Sequence, residues 1–248
     1  MKKLKKTLLN IAVLVFWVAV WHIAASIANK SLLLSIPLPL ETAAAFFAQL
    51  KNAEFYAAVL SSLMHILSGY VFAVILGAIC GILSGSSQIF RSFSAPVLHI
   101  IRSVPVAAFI FVAWLWIPTQ VLPAFIAGLM VMPIIWSHID AAMAAADKKY
   151  LEMGRVFGLS RTETELKIRL PFIMPQLRAG CITGLGIAWK AGVAAEIICN
   201  PGGSIGALLQ RGKVTVEYTE VFAVTLAVVL LSLLLECILK AVWKEKKQ

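Results

Sequence analysis

Lys190 and Glu196 stand inside an otherwise uncharged apolar run. A charged group at membrane depth is costly, and such residues face a bundle interior or a water path. They lie six positions apart, about 240° around a helix, so they do not pair on a straight one. Either they line a route or gate, or they make structural polar contacts with another span or a second copy. Glu236 lies near the end of another apolar run, where snorkelling or a local contact accounts for it. His22, His65, His99 and His138 are dispersed, without the spacing of a helical metal site. Cys80, Cys181, Cys199 and Cys237 form no CxxC pair and sit in or beside apolar segments, as small packed residues do. From Gly206 to Gly212-Lys213 there are five intervening residues where a phosphate loop has four, and Val214 stands where Ser or Thr is required. The sequence thus carries no catalytic, metal-binding or ATP-binding constellation, and energy for any work must come from a partner.

The elements that position these residues are membrane spans. The chain is 60% hydrophobic and 14% charged, against about 25% charged in a soluble domain. No Asp, Glu, Lys or Arg occurs from Thr7 to Asn29, from Phe55 to Phe90, or from Ser103 to Ile139. A spanning helix needs roughly 20 apolar residues. Strands of a membrane barrel would alternate apolar and polar residues, and these runs do not. Six spans are predicted: 8–28, 64–84, 104–117, 121–137, 179–199 and 221–242, with Pro118-Thr119-Gln120 dividing the third from the fourth. Of 22 basic residues, Lys30, Lys51, Arg211 and Lys213 fall in predicted outer segments and Lys190 in a span, leaving 17 on the inner side. That asymmetry places both termini in the cytoplasm. It also reads the net charge of +10 as a topology signal, with no nucleic acid as partner. Met1–Lys6 and Ser26-Ile27-Ala28 resemble the ends of a signal peptide, but the run between them exceeds the usual 7–15 residues, so it is read as a span. Pro37 and Pro39 precede Glu41–Leu50, expected as a short helix on the outer membrane surface. Gly77, Gly81 and Gly85, with Gly180 and Gly184, recur every fourth residue, a spacing that lets helices pack closely.

The inner segment 138–178 is the most patterned hydrophilic stretch. Asp140–Asp147 favours a helix emerging from span four, continuing through Tyr150–Phe157 to a cap at Gly158, where φ > 0 is wanted. Ser160-Arg-Thr-Glu163 and Thr162-Glu-Thr-Glu165 have capping-box spacing. A second short helix is expected to Leu170 and to end at Pro171. Leu151, Phe157 and Leu159 offer apolar anchors, with Glu152, Arg155 and Arg161 around them, as helix-in-groove docking requires.

This segment resembles the "EAA" loop of membrane subunits of ABC importers. Glu152-Met153-Gly154 is followed after three residues by Gly158, and nine residues later by Ile168-Arg169-Leu170-Pro171. Met153 and Gly154 replace the two alanines. Ile36-Pro-Leu-Pro39, Ser103-Val-Pro105 with Trp114-Leu-Trp116, Ala188-Trp189 with Ala195-Glu196, and Gly203-Ser-Ile-Gly206 are similar to the nitrate/sulfonate/taurine-type branch. His65 stands where an arginine is expected.

The resemblance implies an all-α type I importer permease of one transmembrane domain, 1–248, with six spans, in the bacterial cytoplasmic membrane. It makes the loop a coupling helix for an ATP-binding cassette subunit, through Leu151, Glu152, Gly154, Arg155, Phe157, Gly158, Leu159, Ile168, Leu170 and Pro171. Trp189, Lys190 and Glu196 are the candidates for the translocation path. The chain itself needs no cofactor, because the partner binds ATP. A homodimer in lipid is implied, with an extracytoplasmic solute-binding protein delivering a small solute such as a sulfonate, nitrate, taurine or a vitamin precursor. Transport by alternating access follows, driven by the partner's ATP-bound and ATP-free states. A stand-alone secondary transporter would carry inverted repeats, and none is evident. A membrane enzyme would need a catalytic constellation, which the sequence lacks.

Overall fold

The computed structural model of the chain describes residues 2–30, 35–145 and 156–243, and these are helical with connecting turns. The helices are α1 (Lys2–Ala28), α2 (Pro39–Gln49), α3 (Ala53–Ser86), α4 (Gln88–Ser103), α5 (Val106–Trp114), α6 (Leu122–Ala145), α7 (Arg161–Thr164), α8 (Leu170–Cys199), α9 (Ile205–Val214) and α10 (Tyr218–Val242). Among them α1, α3, α6, α8 and α10 are long and apolar enough to cross a membrane.

The core is α3, α6 and α8. Gly69 lies against Ala124, Gly77 against Met132 and Ile135, Gly81 against Ile139, and Gly85 against Met143. Both sets of numbers rise together, so α3 and α6 run parallel. A Cβ at Gly81 would stand 2.7 Å from that of Ile139, so the small-residue stripe serves packing within one chain. On α8 the order reverses: Gly180 meets His138 and Gly184 meets Val131. Tyr70 on α3 donates to the Cys181 carbonyl at 3.0 Å. Helix α8 therefore runs antiparallel to both, and α10 returns along it, with Trp189 Nε1 donating to the Val228 carbonyl at 3.0 Å.

Two parallel helices joined by one connection require an odd number of crossings between them. The third span supplies that crossing in two pieces. Pro105 has no N–H and holds Val104 extended (φ −82, ψ 130), so the helix breaks there. Helices α4 and α5 meet at 101°. The nine residues of α5 reach about 14 Å, too short for a bilayer core of roughly 30 Å. Helix α4 covers the rest: Arg91 pairs with Asp140 at 2.7 Å, and Arg102 donates to the Pro133 carbonyl at 2.9 Å. Further out, Ile110 and Ala113 join Leu122 and Ile126 in a second buried cluster. Within the expected span 104–117 the helix is α5, Val106–Trp114, bent by 101° from α4 across Val104 and Pro105.

Other boundaries also move. Helix α3 starts at Ala53, capped by Asn52, whose side chain accepts from Glu54 N at 3.0 Å. The expected span 64–84 is only the length a bilayer core needs, and the charge-free run from Phe55 as far as Ser86 lies within the longer helix. The expected helix after the outer prolines exists as α2, where the Glu41 carboxylate accepts from Leu38 N at 2.9 Å. It packs against α10, and Phe46 and Leu50 share a cavity with Ala227, Leu230 and Leu231. Helix α1 stands apart, touching α2 and stacking Trp21 on Phe222 at 6.0 Å. Its Leu8, Leu14 and Trp17 are exposed, as a lipid-facing helix requires.

Candidate functional site

The inner loop is built on its turn chemistry. Gly158 has φ +72, and among the described residues nothing lies within 4 Å of where a Cβ would be. The glycine answers a backbone demand and relieves no crowding. Beside it Val156 and Phe157 are exposed at 84% and 76%. Ser160 then opens α7: its hydroxyl accepts from Glu163 N at 3.3 Å, and Glu163 Oε2 accepts from Ser160 N at 3.1 Å. This is the reciprocal capping box expected from the spacing. Lys167 donates to Glu163 Oε1 at 2.8 Å. That bond, joined by those from Ser160, holds the Glu163 carboxyl down at about 2.

Pro171 does not end a helix, as the sequence reading expected, but opens one. Residues 165–169 form a π-turn running straight into α8, and Pro171 sits in the first turn of α8. A proline ring clashes with the carbonyl four residues back, and the wider i to i+5 turn removes that conflict. Ile168 is half-buried in the π-turn, Leu159 is half-buried, and Leu170 and Pro171 are exposed. Leu151, Glu152, Gly154 and Arg155 lie outside the described residues.

The three path candidates divide between two faces of α8. Trp189 and Glu196, seven apart, point into the core at 1% and 0% exposure, while Lys190 is exposed. Seven residues are nearly two full turns, so Trp189 and Glu196 share one face and Lys190 faces elsewhere. Trp189 and Glu196 make contacts within the chain, and Glu196 Oε1 is buried with no hydrogen-bond partner among the described residues. Glu196 Oε2 accepts from Ser62 Oγ on α3 at 2.8 Å and from Gly206 N on α9 at 3.1 Å. Ser62 Oγ in turn accepts from Ile205 N at 2.9 Å, and Ser204 Oγ accepts from Ala207 N at 3.1 Å. The first three N–H groups of α9 are therefore all met, two of them from other helices. A carboxylate suits the positive end of a helix, so Glu196 fastens the outer helix α9 to α3 and α8. In the last turn of α9 Arg211 bonds Glu54 at 2.7 Å, which keeps its guanidinium more firmly protonated. The near-miss phosphate loop is simply α9. Ser62 and the Gly206 N–H could not be read from sequence, since the partners lie 134 and ten residues away from Glu196.

The outward stripe of α8 is Phe172, Gln176, Ala179, Thr183 and Lys190, all exposed. Apart from Phe172 it is small and polar where α1 is bulky and apolar. Among the described residues no group of three or more His, Cys, Asp or Glu is placed to hold a metal ion.

Comparison with known proteins places this architecture. The nitrate import permease protein NrtB of Leptolyngbya laminosa is 29% identical over 186 residues, covering 72% of this chain and 64% of that protein. The taurine transport system permease protein TauC of Escherichia coli is 25% identical, covering 77% of this chain and 69% of that one. Among solved structures, the bacterial alginate ABC transporter in complex with alginate pentasaccharide-bound periplasmic protein superimposes with a TM-score of 0.64 at 14% identity, over 97% of this chain and 95% of that one. The family model for the inner membrane component of binding-protein-dependent transport systems matches residues 73–247, from within α3 to the C-terminal end. The chain is therefore a multi-pass inner-membrane permease belonging to that family.

Proposed function

We propose that this permease pairs with a second copy, docks one ATP-binding cassette subunit on each inner loop, and passes a small solute handed over by an extracytoplasmic binding protein. The whole chain acts as one transmembrane domain and leaves ATP binding and hydrolysis to the partner. The relatives named for nitrate and taurine point to a small anion or zwitterion as solute, such as nitrate, a sulfonate or taurine, with a vitamin precursor as the aromatic alternative. The observation that carries this reading is the turn at Gly158. A left-handed glycine presents exposed Val156 and Phe157 next to a capped helix start, and a protruding apolar tip of this kind suits a groove on a soluble partner.

The outward stripe of α8 supports the pairing. Gln176, Thr183 and Lys190 would leave polar groups in lipid, which is costly, whereas a second copy or a water-filled path between two copies would satisfy them. The test is affinity capture of the solubilised chain from its native membrane, followed by mass spectrometry. Recovery of a phosphate-loop ATPase, lost when residues 150–165 are altered, is the expected result. Capture with no ATPase in several mild detergents would sink the reading.

A further inference from the structure

Helix α4 is amphipathic in the sense opposite to that of a soluble helix. Its exposed stripe is Ile89, Phe93, Val97 and Ile100, and its polar side turns towards α6. Between them lies a cavity of about 270 Å³ lined by Arg91, Ser94, His99, Arg102, Ser137 and Asp140. It runs along α4 from Arg91 in the first turn to Arg102 in the last, and along α6 from Trp136 to Asp140. Arg91 spends Nη2 on Asp140 at 2.7 Å, and its Nε is buried with no partner. Arg102 spends Nη2 on the Pro133 carbonyl and on Ser137 Oγ, which fixes the guanidinium in place. Asp140 is the one acid among the lining residues, so among the described residues the lining carries one more positive charge than negative. Water could meet the idle N–H groups. It would leave that charge standing beside a lipid-facing apolar stripe, where an unpaired charge is costly.

We propose that this cavity binds an oxyanion from the cytoplasmic side, held by the Arg102 and Arg91 guanidinium groups with serine hydroxyls completing the shell. Guanidinium groups fit the paired oxygens of phosphate-like and sulfonate-like groups. The group arrives either as a free small anion or as the headgroup of an anionic phospholipid whose acyl chains lie along Phe93 and Val97. Basic pockets between spans on the cytoplasmic side suit such headgroups.

The experiment uses the full chain in nanodiscs and follows its thermal unfolding. In phosphatidylcholine discs, inorganic phosphate is titrated against chloride of equal ionic strength. A saturable rise approaching about 5 °C at a hundredfold excess over Kd is expected for a site of this kind. In a parallel arm, discs containing phosphatidylglycerol are used without phosphate. A rise with phosphate identifies the free anion as ligand, and a rise with phosphatidylglycerol that phosphate does not increase identifies the headgroup. Ala95→Leu fills the cavity from α4 while keeping both arginines, and Arg102→Gln removes the fork. Both should abolish the rise, and Arg102→Lys should keep part of it. Should Arg102→Gln fail to fold, Ala95→Leu alone carries the test. No rise in either arm, an equal rise with chloride, or an undiminished rise in the variants that fold would overturn the proposal.

Discussion

Gly158 and Glu196 are single residues whose roles come from backbone geometry and burial. At Gly158 the left-handed conformation costs an L-residue about 1–2 kcal/mol, and no described residue comes within 4 Å of a Cβ placed there. Substitution should therefore be graded by conformational preference and not by size. Gly158→Asn is expected to retain most co-purifying ATPase, because asparagine tolerates this region, and Gly158→Val is expected to lose it, with the spans unfolding as before. Equal retention by both would remove the turn from the coupling role. At Glu196 the carboxylate meets Ser62 and Gly206 N within a buried junction. Glu196→Gln keeps an acceptor and should unfold close to the parent temperature. Glu196→Ala strands a buried N–H and should cost about 1–3 kcal/mol, read as a lower thermal midpoint in detergent. If Gln proves as damaging as Ala, the charge itself, facing the end of α9, is what holds the junction. The positive φ at Gly158 was legible because helix-end glycines follow a local rule. The junction at Glu196 was not legible, because its partners come from two other helices and leave no local pattern.

Among the elements, the sequence reading succeeds where a helix is set by its own residues and fails where a neighbour decides. Apolar runs and basic asymmetry located α10, the end of α1 and the start of α6 within a few residues, while α6 continues to Ala145, beyond the expected 137. They missed the break at Pro105, because apolar composition continues across it, and they read Pro171 as a stop when a π-turn makes it a start. The stripe of α3 glycines was read as packing, and the backbone of Ala124 against Gly69 shows how close that packing is. Gly69→Ala would press a methyl into a backbone carbonyl and should destabilise by about 1–3 kcal/mol or more. Gly202→Ala, with open space around it, should leave thermal unfolding unchanged. A silent Gly69→Ala would mean that α3 and α6 separate easily. Helix α7 offers a test by pH. Glu163 is held at about 2, below an ordinary glutamate near 4.3. Its contribution is therefore complete above the ordinary value and is lost as pH falls through about 2. Amide exchange at Ser160 and Glu163 should accelerate over that window, and Glu163→Gln should flatten the dependence.

For the whole molecule the question is what covers the outward stripe of α8. The core helices α3, α6 and α8 bury one another, α1 is exposed to lipid with large apolar side chains, and α8 alone among these turns outward small and polar residues together with Lys190. Lipid would leave these groups unsatisfied, while the same stripe on a second copy would meet them across a two-fold axis, as closed symmetric assemblies do. Cysteine cross-linking in native membranes distinguishes the two. In a background with Cys80, Cys181, Cys199 and Cys237 replaced, Thr183→Cys should cross-link to itself under mild oxidation. Ala188→Cys, on the buried face of the same helix, should not. Addition of ATP should alter the Thr183 yield if the coupling loops move the two copies, because an equilibrium shifts only as far as the partner's two states differ in affinity. Failure of Thr183→Cys to cross-link with any partner, while the chain remains folded and able to capture the ATPase, would place α8 away from the axis and leave Lys190 facing some other element of the assembly.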